Sequence, residues 1–124
     1  YCDLMHATPE ALEMDENDQI IMARKNFHTF FFLIMALWSQ TSNKPGICLS
    51  NGAYFPTLKE EQQYPDVNDC AGRCVDYLNQ PIRALALTEV EQAVVAYLSC
   101  FIDDVPTLSV PGCKKYSAIR DRLI

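Results

Sequence analysis

Basic residues are scarce in this chain of 124 residues: ten Lys and Arg stand against sixteen Asp and Glu, a formal net charge of -6. A protein that grips nucleic acid must displace phosphate counterions with its own cations, so the chain is a poor candidate for that role. Histidine is scarcer still: His6 and His28 are the only two, too few to anchor a metal centre or an acid–base site. Glycine numbers four, which is low for a loop-rich scaffold stapled by disulfides. There is no Gly-rich phosphate loop, no GxSxG elbow, no HExxH and no paired-Cys zinc motif. Asp103 and Asp104 are adjacent and close to Pro106, which reads as a solvated helix-to-loop junction rather than a catalytic pair. Nothing supports an enzyme. The apolar run Phe30–Trp38 covers nine residues, whereas a membrane-spanning helix wants about 20, so no span is expected. No signal peptide is visible at the start.

What is present is an ordinary globular mixture, 49% hydrophobic and 10% aromatic, sized for one domain. The chain opens on Tyr1 rather than Met and stops at Ile124 inside a helical pattern, so it is expected to be a piece of a longer chain. Six cysteines occur, Cys2, Cys48, Cys70, Cys74, Cys100 and Cys113. An even count in a short secreted chain would suggest three bridges. Several of these residues fall on apolar helical faces, where Cys behaves as a small hydrophobe, which favours reduced thiols and an intracellular setting. Cys70 and Cys74 could face one metal, but a zinc site needs about four ligands.

Periodicity predicts helices. After Pro9, the acidic cluster Asp15–Asp18 suits a helix N-terminus. From Gln19 to about Trp38, Ile20, Ala23, Phe27, Phe30, Phe31 and Ile34 recur at helical spacing. Beyond Thr29 this helix is apolar all round, which predicts cover on every side. A polar loop, Ser39–Gly46, follows. Ile47–Ser50 and Ala53–Phe55 around Asn51-Gly52 read as a hairpin, since Asn-Gly suits a turn with two positive φ angles. Val67–Leu87 is helical with Cys70, Cys74, Leu78, Ile82 and Leu85 in one stripe, kinked or divided by Pro81. Thr88 and Glu91 form a capping box, opening a helix with Val90, Val94, Tyr97, Leu98 and Phe101 at core spacing. Asp103–Pro106 breaks it, and a last helix from Pro111 turns Tyr116, Ile119 and Leu123 inward. The total is an all-α chain of four or five helices with one small hairpin.

The order of these pieces is more specific than any one of them. Asp18-Gln19-Ile20 opens a helix that becomes wholly apolar; a hairpin and a helix follow, then Leu85-Ala86-Leu87-Thr88-Glu89-Val90-Glu91, then Leu98-x-x-Phe101 and Leu108-Ser109-x-Pro111. This arrangement resembles the ligand-binding domain of nuclear receptors, from the end of its third helix through its ninth, over essentially residues 1–124. Ile47-Cys48-Leu49 and the Leu-Ala-Leu-Thr-Glu run look closest to the Rev-erb and ecdysone-induced branch. Ala11, Met14, Met22 and Ala23 stand where the family signature has larger aromatic or aliphatic residues, so the resemblance is to a divergent member.

The resemblance implies a fragment of a three-layer helical sandwich, with flanking helices missing at both ends, around a pocket for a small hydrophobic ligand such as a sterol, fatty acid, retinoid-like molecule or haem. No cofactor is required. Carried across, Phe27, His28, Phe31, Met35 and Trp38 from the central helix would face the pocket. Cys48 and Leu49 from the hairpin, with Cys70 and Cys74, would close other walls. Trp38 stands where retinoid-type members hold a carboxylate-binding Arg, which argues against an acidic ligand there. Large aromatics could also fill the pocket, and each of these residues can equally be core packing.

The second family surface is a groove for LxxLL-type helices of coactivators and corepressors. His6 stands where the family uses a capping Lys, and Gln19, Ile20, Ala23 and Arg24 would supply floor and rim. Glu16 replaces an apolar groove residue, and a solvated helix face is the alternative for Gln19 and Arg24. The implied function is a module of a nuclear transcription factor, ligand-regulated or orphan, that dimerises with itself or another receptor and reads DNA through a separate zinc-finger domain. The rival readings are a small secreted helical binding protein with three disulfides and a helical interaction domain without a ligand.

Overall fold

The computed structural model describes residues 1–42 and 44–123, so Asn43 of the polar loop and the terminal Ile124 lie outside the described residues. The chain forms two compact units, the first of Tyr1–Phe31 with Ala93–Ile124 and the second of Phe32–Gln92. The elements in chain order are α1 (Cys2–His6), α2 (Pro9–Leu12), α3 (Glu16–Ser39), β1 (Gly46–Cys48), β2 (Tyr54–Pro56), α4 (Cys70–Cys74), α5 (Gln80–Leu85), α6 (Glu89–Ser99) and α7 (Val110–Leu123). Short 3₁₀ turns occupy Lys59–Glu61 and Val67–Asp69.

In the first unit, Asp15 starts α3: its carboxylate accepts the Asn17 amide at 2.9 Å and its carbonyl the Gln19 amide at 2.9 Å. This satisfies one of the donors that every helix N-terminus leaves open. The first turn of α3 holds Glu16 and Asp18, as its dipole favours. Asp18 does more. Buried at 3% exposure, its carboxylate accepts the Ser109 amide at 2.8 Å and the Ser109 hydroxyl at 2.5 Å, anchoring the start of α7. These bonds, hydroxyl first, hold the Asp18 carboxyl below the usual carboxylate range. Around them Met5, Ala11, Met14, Met22, Cys100, Phe101, Val105, Leu108, Tyr116 and Ile119 form one apolar cluster. Asn26 is fully buried on α3 and donates back to Met22 O at 3.1 Å.

The second unit packs a smaller cluster, Met35, Ile47, Ala71 and Cys74, with Phe32, Leu49, Phe55 and Leu78 at its margin. The hairpin is antiparallel with Ile47 opposite Phe55. Its connection differs from the expected two-residue turn: residues 49–53 form a longer loop in which Gly52 alone takes a positive φ, 78°. Leu49 N donates to Ala53 O and Gly52 N to Leu49 O, while the Asn51 side chain accepts the Ala53 amide. Asn51 thus closes the loop with its carboxamide. Pro81 divides the fourth helical segment as expected. It has no amide to donate and its ring crowds the preceding turn, and the chain takes up the misfit in a wide π-helical turn at Val75–Asn79.

Other expectations need correction. Val90 and Val94 are 73% and 52% exposed, and the inward face of α6 is instead Ala96 and Ser99. An apolar side chain at helical spacing is not thereby core; it needs an opposing surface. Cys70 and Leu85 likewise leave the buried stripe, whereas Cys74 and Ile82 remain in it. Beyond Thr29, α3 is not covered on every side: Met35, Ala36 and Leu37 are buried, but Phe31 and Trp38 are 41% and 45% exposed. At 24 residues α3 is also long and apolar enough to cross a bilayer by length and composition, which the nine-residue run alone did not suggest. Core helices of soluble proteins meet the same criterion.

Candidate functional site

The groove in the first unit is built where α1 and α2 meet the N-terminal half of α3. Pro9 is well placed at the start of α2, where its missing amide costs nothing. The Gln19 side chain then donates to Met14 O at 2.9 Å and Leu12 O at 3.3 Å, fixing the α2–α3 corner. The result is a cavity of about 290 Å³. Met5, Ala11 and Met22, all buried, form its floor. Leu12 and Ile20 flank it at 46% and 43% exposure, and His6 and Glu16 stand at its edge as polar groups.

Of the residues predicted for a coregulator groove, His6, Gln19, Ile20 and Ala23 line this one cavity. Arg24 does not line it; it is exposed on the neighbouring helix position. Met5 and Leu12 were missed, because the first dozen residues read as a short opening piece without helical periodicity. The signal available was Thr8-Pro9, a pair that often starts a helix.

The nine predicted pocket residues fall in both units. In the first, Phe27, His28 and Phe31 are exposed on α3. Phe27 stacks on Phe31 at 5.7 Å between centroids and meets the edge of Tyr1 at 6.1 Å. In the second, Met35 and Cys74 belong to the apolar cluster with Leu49 at its margin. Burial raises the Cys74 thiol above its ordinary pKa. Cys48 is half-buried, its amide donating to Ser39 Oγ at 2.9 Å. Cys70 is exposed, its amide held by Asp66 at 2.9 Å, and Trp38 is exposed. All six thiols are free. Among the described residues no group of three or more His, Cys, Asp and Glu is placed to hold a metal ion.

A larger cavity of about 550 Å³ lies in the second unit beside Lys44, Asn79 and Arg83. Its cations are engaged. The Arg83 guanidinium donates to Ser39 O at 3.0 Å, a carbonyl at the end of α3, and to Ser42 O at 2.5 Å in the loop beyond it.

No family model matches the chain. It is 25% identical over 129 aligned residues, 98% of its length, to the nuclear hormone receptor family member nhr-61 of Caenorhabditis elegans. It is also 29% identical over 128 aligned residues, its whole length, to the family member nhr-4 of the same organism. The chain spans 31% and 25% of the lengths of these two relatives. The similarity runs through both units, and the helical architecture with one two-stranded sheet agrees with a divergent piece of a nuclear receptor ligand-binding domain.

Proposed function

We propose that this chain, a divergent relative of nuclear hormone receptors, is the part of a nuclear transcription factor that receives coregulator helices. The observation that carries the reading is the groove of the first unit: His6, Gln19, Ile20 and Ala23 line one cavity whose floor is apolar and whose flanks, Leu12 and Ile20, are exposed. An amphipathic helix laid there would bury its leucines against Leu12, Ile20 and Met22, with His6 offering a donor to its terminal carbonyls. The whole receptor would work in the nucleus, as a dimer, on DNA bound by a separate domain. Its ligand would be a small hydrophobic molecule.

Fluorescence anisotropy with a labelled LxxLL peptide tests the groove. Ile20→Asp places a charge where a leucine would dock and should weaken binding at least about tenfold, the scale of an interface anchor. Leu85→Asp, at an exposed position of the second unit, should leave it unchanged. Equal losses from both variants, or from neither, would overturn the reading.

A further inference from the structure

The hairpin carries a cavity of about 420 Å³ in the second unit, lined by Leu49, Tyr54, Phe55, Pro56, Glu61 and Tyr64 among others. Its walls are fixed. The Tyr54 ring lies against Gly46, where an added Cβ would lie 2.3 Å from it. Its hydroxyl donates to Glu61 at 3.3 Å. The Gln62 side chain donates to Pro56 O at 2.9 Å, tying the Lys59–Glu61 turn to β2. Thr57 closes the base of the hairpin through Pro45 O, at 2.9 Å from its hydroxyl. Phe55 is held by the apolar cluster behind it.

We propose that this cavity binds an alkylammonium group, a primary or methylated amine on an apolar stem. Three aromatic rings, an aliphatic wall, one carboxylate and the Gln63 carboxamide line it, and no Lys, Arg or His is among the lining residues. Aromatic faces carry negative potential and attract cations, most strongly when water is partly excluded. The ring of Tyr54 already does so: Lys44 Nζ sits 5.1 Å from its centroid, outside the cavity lining. The Glu61 carboxylate on its hydroxyl adds electron density to the same ring. The local charge points the same way, since residues 57–69 hold Lys59 as the single base against Glu60, Glu61, Asp66 and Asp69. The Glu61 carboxylate would repel an anion and attract a cation, adding to the pull of the rings. Tyr64, 73% exposed, supplies the wall that a bound stem would cover.

Saturation-transfer NMR on the full chain tests this, with tetramethylammonium as probe and neopentyl alcohol as its neutral counterpart of similar shape. Tetramethylammonium should bind at least about fivefold more tightly than the alcohol, the scale of a partly desolvated cation–π contact. Tyr64→Ala and Glu61→Gln should each weaken it about threefold or more, while Tyr77→Ala, an equally exposed tyrosine of the same unit, should not. Tyr64, Glu61 and Tyr77 are surface residues, so the variants keep the fold, which the circular dichroism melt checks. Equal binding of the two probes, no binding of tetramethylammonium, or indifference to both cavity variants would overturn the proposal. LxxLL peptide affinity, read at the first unit, reports separately on the groove.

Discussion

Among the described residues the first unit buries ten side chains in one apolar cluster, whereas the second buries four and is stitched by side chains bonded to backbone. In the second, Arg83 holds Ser39 O and Ser42 O, Asn79 donates to Gly46 O at 3.2 Å, Gln40 to Leu87 O at 3.2 Å, and Asp66 receives the Ala71 amide at 2.8 Å. Burying a large apolar side chain contributes about 1.5–3 kcal/mol, and an ordinary hydrogen bond nets about 0.5–1.5 kcal/mol. The first unit is therefore the more sensitive to loss of volume, and the second to loss of geometry.

The largest effect should come from Phe101→Ala. Phe101 is 1% exposed between Tyr97 at 5.4 Å and Tyr116 at 5.9 Å. Its truncation should cost about 3–5 kcal/mol, and Ile47→Ala, in the smaller cluster, about 2 kcal/mol, the low end for such a change. Urea unfolding followed by Trp38 fluorescence and by far-ultraviolet dichroism measures both; equal losses would erase the contrast. Next comes Gly112→Ala. A Cβ there would lie 2.2 Å from Asp18 Oδ2 and push the carboxylate off Ser109, at a cost of about 1–3 kcal/mol. It also changes the pH profile. Because Asp18 titrates lower folded than unfolded, its contribution is present above the unfolded value near 3.8 and is lost as pH falls through the lowered native value. Gly112→Ala should flatten that acid limb in melts taken from pH 6 to pH 2, and an unchanged limb would count against the Asp18 anchor. The smallest effect is a gain. Ala86 ends α5 at φ 48°, a conformation that suits glycine, so Ala86→Gly should stabilise the second unit by about 0.5–1 kcal/mol. A lower urea midpoint would contradict it.

Local rules made part of this legible. Thr88 and Glu91 form the reciprocal pair the sequence advertises: Thr88 N donates to Glu91 at 2.8 Å and Glu91 N to Thr88 Oγ1 at 3.3 Å. The break at Pro81, the hairpin strands and the inward set of α7, Tyr116 and Ile119, follow from equally short-range signals. What periodicity could not say is which apolar face finds an opposing surface, hence the misplaced Val90 and Val94. The left-handed pair Asn68 and Asp69 was equally hidden, since both residue types tolerate that region but do not require it. In the groove, His6 and Ile20 came from resemblance, whereas Met5 and Leu12 depend on how α1 and α2 fold back.

Each unit also encloses one buried thiol. Cys100 is wholly enclosed in the first, where burial pushes its pKa up to about 12, and Cys74 is buried in the second. Only thiolate reacts with an alkylating agent, so neither reacts at an appreciable rate until its surroundings part. The two cysteines are built-in clocks: the lag before each is labelled times the opening of its own half.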